Sequence, residues 1–282
     1  MTKTTVTSGH TVSGASLSSG DLMRVASGAL AIDTVIDGGV QKVRAGGETS
    51  DARITGGGVE YDFGYASGTL IEAGGLEVVE RGGNSDAAVV RTGGRQVVVS
   101  GGMANDTILS GGTLIVSAGG SVCGGGFTIH AGKAVIAGDI AAWNTVRFAG
   151  SAGTVELDNL AGFAATIAGF HRAKQRLDLG GFAFSADETL TWVQSGTRGA
   201  LTITDGDKHA TLILSGAYTA ADFQLADDGH GGTVITPAAA PAARLAQSMA
   251  AMAGARGGEA GAGRAAALAP GPHPLLGATI SR

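Results

Sequence analysis

The feature that most constrains this chain is a pair of glycines that returns every 17–19 residues, at Gly38, Gly57, Gly74, Gly93 and Gly111. The units read GGVQKVRAGGETSDARIT, GGVEYDFGYASGTLIEA, GGLEVVERGGNSDAAVVRT and GGRQVVVSGGMANDTILS, and each carries a second Gly-Gly or Ser-Gly eight to twelve residues in. A fixed period of that size without helical patterning is the signature of a β-solenoid, in which each repeat is one coil and neighbouring coils bury each other's apolar face.

Short β-branched or alternating runs lie between the glycines: Val40 to Val43, Leu76 to Val79, Gln96 to Val99 and Leu114 to Val116. Such runs suit strands, in which alternate side chains face opposite ways. The apolar members are expected inside, with Gln41, Lys42, Glu77 and Gln96 turned to solvent. Glycine pairs at the corners supply positive φ and close backbone approach. About eight coils between residues 9 and 158, stacked at the strand spacing, predict a rod of about 40 Å. Residues 121–158 keep the pattern more loosely, with Val122, Phe127, Ile129, Val135, Ile136, Ile140, Val146 and Phe148 as inward positions and Trp143 joining the core.

From about residue 159 to 236 most of the aromatics gather, and hairpin signals replace the repeat. LTWV and ALTITD flank QSGTRG, and Asp205-Gly206-Asp207 joins two alternating runs. This segment is expected to be a β-rich cap over the open end of the solenoid. After Pro237 alanine, glycine and proline dominate residues 237–282, as in a flexible tail. Within it, residues 242–253 place Leu245, Met249 and Met252 at the spacing of a short amphipathic helix.

Fifty glycines in 282 residues lack a Gly-X-Y triplet, which excludes collagen. A net charge of -5 with no Lys/Arg cluster counts against nucleic acid and anionic membrane as partners. The lone cysteine, Cys123, has no intrachain disulfide partner and reads as a small buried side chain. No standard signal peptide opens the sequence and no apolar run is long enough for a membrane-spanning helix.

The units from Gly93 to Gly120, GGRQVVVSGGMANDTILSGGTLIVSAGG, resemble the AIDA-type repeat of bacterial autotransporter adhesins, over about residues 9–135. The resemblance implies a right-handed parallel β-helix at the cell surface or outside the cell. Adhesion, autoaggregation or biofilm formation is the function it implies, with other copies of the chain or host and abiotic surfaces as partners. GAYTAADFQLADDGHGGTVIT resembles a closing motif that follows such repeats in large secreted proteins of proteobacteria. A conventional autotransporter is expected to carry a signal peptide and a carboxy-terminal membrane barrel, and no stretch of these 282 residues reads as either, as in a fragment or a chain exported in one step. RLAQSMAAMAGA resembles the tails of type I secretion substrates, which implies export machinery as a partner of the tail. Glycosylated adhesins of this kind carry sugars on exposed Ser and Thr, for which Thr34, Thr55, Ser85, Thr107 and Ser110 are the candidates.

No catalytic residue, metal ligand set or cofactor site is expected. The competing reading is a polysaccharide-binding or polysaccharide-degrading β-helix. For it, Asp33, Asp51, Asp86 and Asp106, recurring after the second corner of their coils, would form an acidic edge, and Tyr61, Phe63 and Tyr65 a sugar-stacking cluster. Aspartate is also a common turn residue. GGMANDTIL and GGETSDARI approach the calcium-roll nonapeptide, but GGLEVVERG and GGRQVVVSG do not, so successive turns cannot share ions. His10, His130, His171, His209, His230 and His273 lack metal-ligand spacing, and Asp227 to Gly232 reads as a polar hairpin turn.

Overall fold

In the computed structural model, which describes residues 1–238, strands stack coil upon coil in parallel register on three faces. On the first face Lys3, Leu22, Val40, Val59, Leu76 and Arg95 lie in one column that continues through Thr113, Lys133 and Thr154. That column gives nine rungs. Each rung is tied to the one before it by bonds such as Val59 N to Gly39 O at 3.0 Å and Arg95 N to Gly75 O at 3.1 Å. The second face stacks Thr11–Ser13, Leu30–Ile32, Glu48–Ser50, Tyr65–Ser67 and Asn84–Asp86. The third stacks Ser16–Leu17, Val35–Asp37, Arg53–Thr55, Leu70–Ile71 and Val89–Arg91. Later coils run through their corners as the continuous strands Met103–Val116 and Ser121–Ile136.

The two glycines of each corner do different things. The first takes positive φ, as at Gly74 with φ 78° and Gly93 with φ 80°. The second permits contact between coils: a Cβ at Gly75 or Gly94 would overlap the carbonyl oxygen of Ile54 or Ile71 one coil below. This is why the doublet, rather than a single glycine, recurs.

The core runs along the axis. Ile36, Ile54, Ile71, Val90, Leu109 and Ile129 form an unbroken inward column on the third face, each fully buried. At roughly 1.5–3 kcal/mol per buried side chain, such a column holds each coil to its neighbours. Six of the seven other inward assignments for residues 121–158 hold, Val122, Phe127, Ile136, Ile140, Val146 and Phe148 being buried. Val135 instead faces outward, opposite Glu156. Trp143 is also displaced from expectation: it sits in a turn and is 79% exposed, because Asn144, not Trp143, points inward there.

Parallel stacking persists through Thr166–Ala168, which pairs with Thr145–Phe148 on one side and Ile213–Ser215 on the other. Antiparallel pairing then takes over. Thr189–Ser195, Arg198–Asp205 and Lys208–Ser215 form a meander with turns at the two places the hairpin signals mark. Lys174–Ala183 pairs in parallel with Ala152–Leu157 and antiparallel with Gly232–Pro237. An aromatic cluster closes this end: Phe170 lies 5.3 Å from Phe148 and 6.3 Å from Phe223, and Tyr218 lies 5.2 Å from Phe223 and 5.4 Å from Trp192. The helix expected over residues 242–253 lies outside the described residues. Among those that are described, no helix is long and apolar enough to cross a membrane.

Candidate functional site

The acidic edge assembles differently from its expected form. Register places Gly14, Asp33, Asp51, Gly68, Ala87, Asp106 and Gly124 at equivalent corners, directly after the second-face strands. Every one has positive φ, including Asp33 (53°), Asp51 (54°), Ala87 (53°) and Asp106 (49°). Aspartate is there because its short polar side chain tolerates the left-handed region better than most. Asp86 falls one residue earlier and accepts a 3.2 Å hydrogen bond from the Tyr65 hydroxyl. The edge therefore holds neighbouring acids only at Asp33 and Asp51, and Asp106 is separated from them by Gly68 and Ala87.

The aromatic residues do not form one platform. Tyr61 lies on the first face under the Lys42 ammonium, whose nitrogen is 5.0 Å from the ring centroid, while Tyr65 is on the second face and 38% exposed. The acidic turn at Asp227 to Gly232 is internally satisfied. Asp228 accepts from the backbone N–H of His230 at 2.6 Å and of Gly232 at 2.9 Å, and these bonds hold its carboxyl below the usual range. Among the described residues no group of three or more His, Cys, Asp or Glu has metal-binding geometry. Cys123 is not a core residue; it stands half-buried at a corner, with Sγ 3.9 Å from Ser121 Oγ.

Three of the five candidate glycosylation residues, Thr34, Ser85 and Thr107, are buried, so they offer no acceptor to an enzyme outside. Thr55 and Ser110 remain at the surface. They line a shallow groove on the third face with Glu72, Ala73, Arg91 and Thr92. Glu72 is the middle of an ion ladder across three coils: it accepts from Arg53 Nε at 2.7 Å and from Arg91 Nη1 at 2.9 Å. The two guanidinium groups hold the Glu72 carboxyl below its usual range.

The largest departure from expectation is inside. Gln41, Glu77 and Gln96, expected in solvent, are fully buried, and so are Glu60 and Asp62; Lys42 alone of the four faces outward. Gln41, Glu60, Glu77 and Gln96 are consecutive members of one inward column on the first face. Hydroxyls from the other two faces meet them. Ser85 donates to Glu77 Oε1 at 2.9 Å, Gln96 Nε2 donates to Glu77 Oε2 at 2.7 Å, Thr107 donates to Gln96 Oε1 at 2.9 Å, and Gln41 Nε2 donates to Thr49 at 2.8 Å. Burial, with the Glu77 charge beside it, pushes the Glu60 carboxyl up to about 8. Burial also raises Asp62 well above its ordinary value, and Glu77 to a degree opposed by the bonds it accepts. The sequence did carry a signal for this. Period-2 alternation puts Gln41 on the same side as Val43, Glu77 with Val79 and Gln96 with Val98.

No family model and no curated protein matches the chain. Six solved chains match. One is the crystal structure of a TibC-catalysed hyper-glycosylated TibA fragment, described as TibA55-350, at 22% identity and a TM-score of 0.32. The match covers 64% of this chain and 89% of that one.

Proposed function

We propose that the protein is a secreted or surface-displayed β-helix adhesin that mediates cell-cell or cell-surface contact through its stacked faces. In this reading residues 1–158 are the adhesive repeats, residues 159–236 cap them, and residues 237–282 carry an export signal. The observation that carries it is the in-register outward column of the second face, Leu30, Glu48, Tyr65, Asn84, Met103 and Ser121. Tyr65 and Met103 are each 38% exposed on it. Side chains repeated at the ~4.8 Å strand spacing make a flat ladder on which many weak contacts add. The resemblance of the repeats to AIDA-type adhesins supports the same reading.

The test is sedimentation of cells that display the full chain, beside cells displaying Tyr65→Lys with Met103→Lys. The variant should aggregate more slowly at equal surface display. Equal aggregation contradicts the adhesin reading. Comparing export of the full chain with a chain ending at Thr236 tests the tail separately: retention of the shorter chain inside the cell supports an export signal.

A second reading has its own observation, the groove that holds Glu72, Arg91 and the hydroxyls of Thr55 and Ser110, with Arg53 paired to Glu72 from the coil below. Guanidinium and hydroxyl donors in a line suit an acidic polysaccharide. Retention on an immobilised uronic-acid polymer, lost in Arg53→Ala with Arg91→Ala while aggregation persists, would favour it.

A further inference from the structure

Three carboxyl groups are sealed in the solenoid with no cation facing them. Glu60 and Asp62 both point inward from Val59–Asp62, and Glu77 is the in-register neighbour of Glu60 on the next coil, one strand spacing away. In register beside them on their own face lie Gln41, Val43, Val79 and Gln96, and Ser85 reaches Glu77 from the second face. None is basic, and no Lys, Arg or His is buried among the described residues. The charged side chain nearest in register, Lys42, projects from the opposite side of the sheet, over Tyr61.

Hydrogen-bond capacity sharpens the problem. Both Glu60 oxygens, both Asp62 oxygens, Gln41 Oε1 and the hydroxyls of Thr34 and Thr69 are buried without a partner. Four of these seven atoms belong to carboxyl groups, and a fully buried carboxylate without donors is strongly disfavoured. Glu77 is different, since each of its oxygens already accepts a bond. The cluster is short of hydrogen-bond donors, and protons on Glu60 and Asp62 supply them. A metal is the poorer answer, because the three groups do not converge with the spacing of metal ligands.

We propose that Glu60, Asp62 and Glu77 form a proton latch inside the solenoid: Glu60 and Asp62 take up protons as the coils close and donate within the cluster, where Glu77 alone carries charge. No covalent bond changes; the protons come from solvent and return to it on unfolding. An acid that holds its proton only when folded makes the folded state bind more protons than the unfolded one. Stability from the latch is therefore fully present below the ordinary carboxyl range and is lost as pH rises through the Glu60 value of about 8. Each proton so held changes the folding equilibrium about tenfold per pH unit inside that window. Most proteins, whose carboxylates are stabilised in the folded state, respond to acid in the opposite sense.

The experiment uses the full chain in chelator. Refolding from urea in weakly buffered solution near about pH 7, followed with an indicator dye, should register uptake of about two protons per chain. The carbonyl stretch of buried protonated carboxylic acids should appear in the infrared spectrum of the native protein. Both signals should fall in Glu60→Gln with Asp62→Asn, and the urea midpoint of that variant should lose most of its dependence on pH between about pH 5 and about pH 9. If the double variant does not fold, Glu60→Gln alone should lower the uptake by about one proton. No uptake by the wild-type chain, uptake unchanged in the variants, a purely carboxylate infrared spectrum, or a urea midpoint that rises when calcium replaces the chelator would each overturn the latch.

Discussion

The coils from Gly38 to Val98 and those from Met103 to Leu157 share one backbone plan and one apolar third-face column, and differ in what fills the other two faces. On the first face the inward column runs Gln41, Glu60, Glu77, Gln96 and then changes to Leu114, Ala134, Val155. The second face changes with it, from Thr49 and Ser85 to Ala104 and Val122. Strand stacking and corner glycines are indifferent to this change, because backbone bonds between coils carry the frame whatever fills it. What the filling decides is how the stability of each half responds to its surroundings. The later coils rest on apolar burial, which pH does not touch. The middle coils add to the shared apolar column a polar network that works only when its donors and acceptors match.

The largest effect that would break the comparison comes from the element both halves share. Gly94→Val places a Cβ where the Ile71 carbonyl oxygen already lies. It should cost at least about 3 kcal/mol, seen as loss of the cooperative thermal transition. Next come the fillings. Leu114→Ala should lower stability by about 2–5 kcal/mol at every pH, since it leaves an apolar cavity. By contrast Glu60→Leu with Asp62→Val, which rewrites a middle coil as a later one, should be neutral or stabilising near about pH 8 and should flatten the pH profile of the urea midpoint. Smallest is the corner column: Ala87→Gly, which relieves a non-glycine residue at φ 53°, should raise stability by about 0.5–1 kcal/mol. A loss there would mean that the corner is not strained.

Much of this was open to reading in the sequence, because the glycine doublet encodes two separate backbone demands and its period encodes the coil. Hairpins at Gly196 and Gly206 were equally open, since turn residues act locally. The interior was not read, for a physical reason: hydrophobicity and alternation conflict in VQKV, LEVV and RQVV. Hydrophobicity sends Gln41, Glu77 and Gln96 outward, while alternation groups them with Val43, Val79 and Val98. Alternation wins because the sheet cannot turn a single side chain around. Asp86 shows a second limit. It lies one residue from the corner position that Asp33, Asp51 and Asp106 hold, and a shift of one residue becomes visible only when coils are laid in register. The outer ion ladder of Arg53, Glu72 and Arg91 also escaped, since its residues lie 19 apart and meet only through stacking.

Among the described residues only the middle coils enclose fully buried carboxyl groups, and amide hydrogen exchange resolves the two halves directly. Protection factors, corrected for intrinsic exchange, should be compared at about pH 5 and about pH 9 for Val40–Val98 and for Met103–Leu157. Protection in the middle coils should fall steeply at the higher pH while the later coils keep theirs. Equal protection in both halves at both pH values, or a loss confined to the later coils, would contradict the latch.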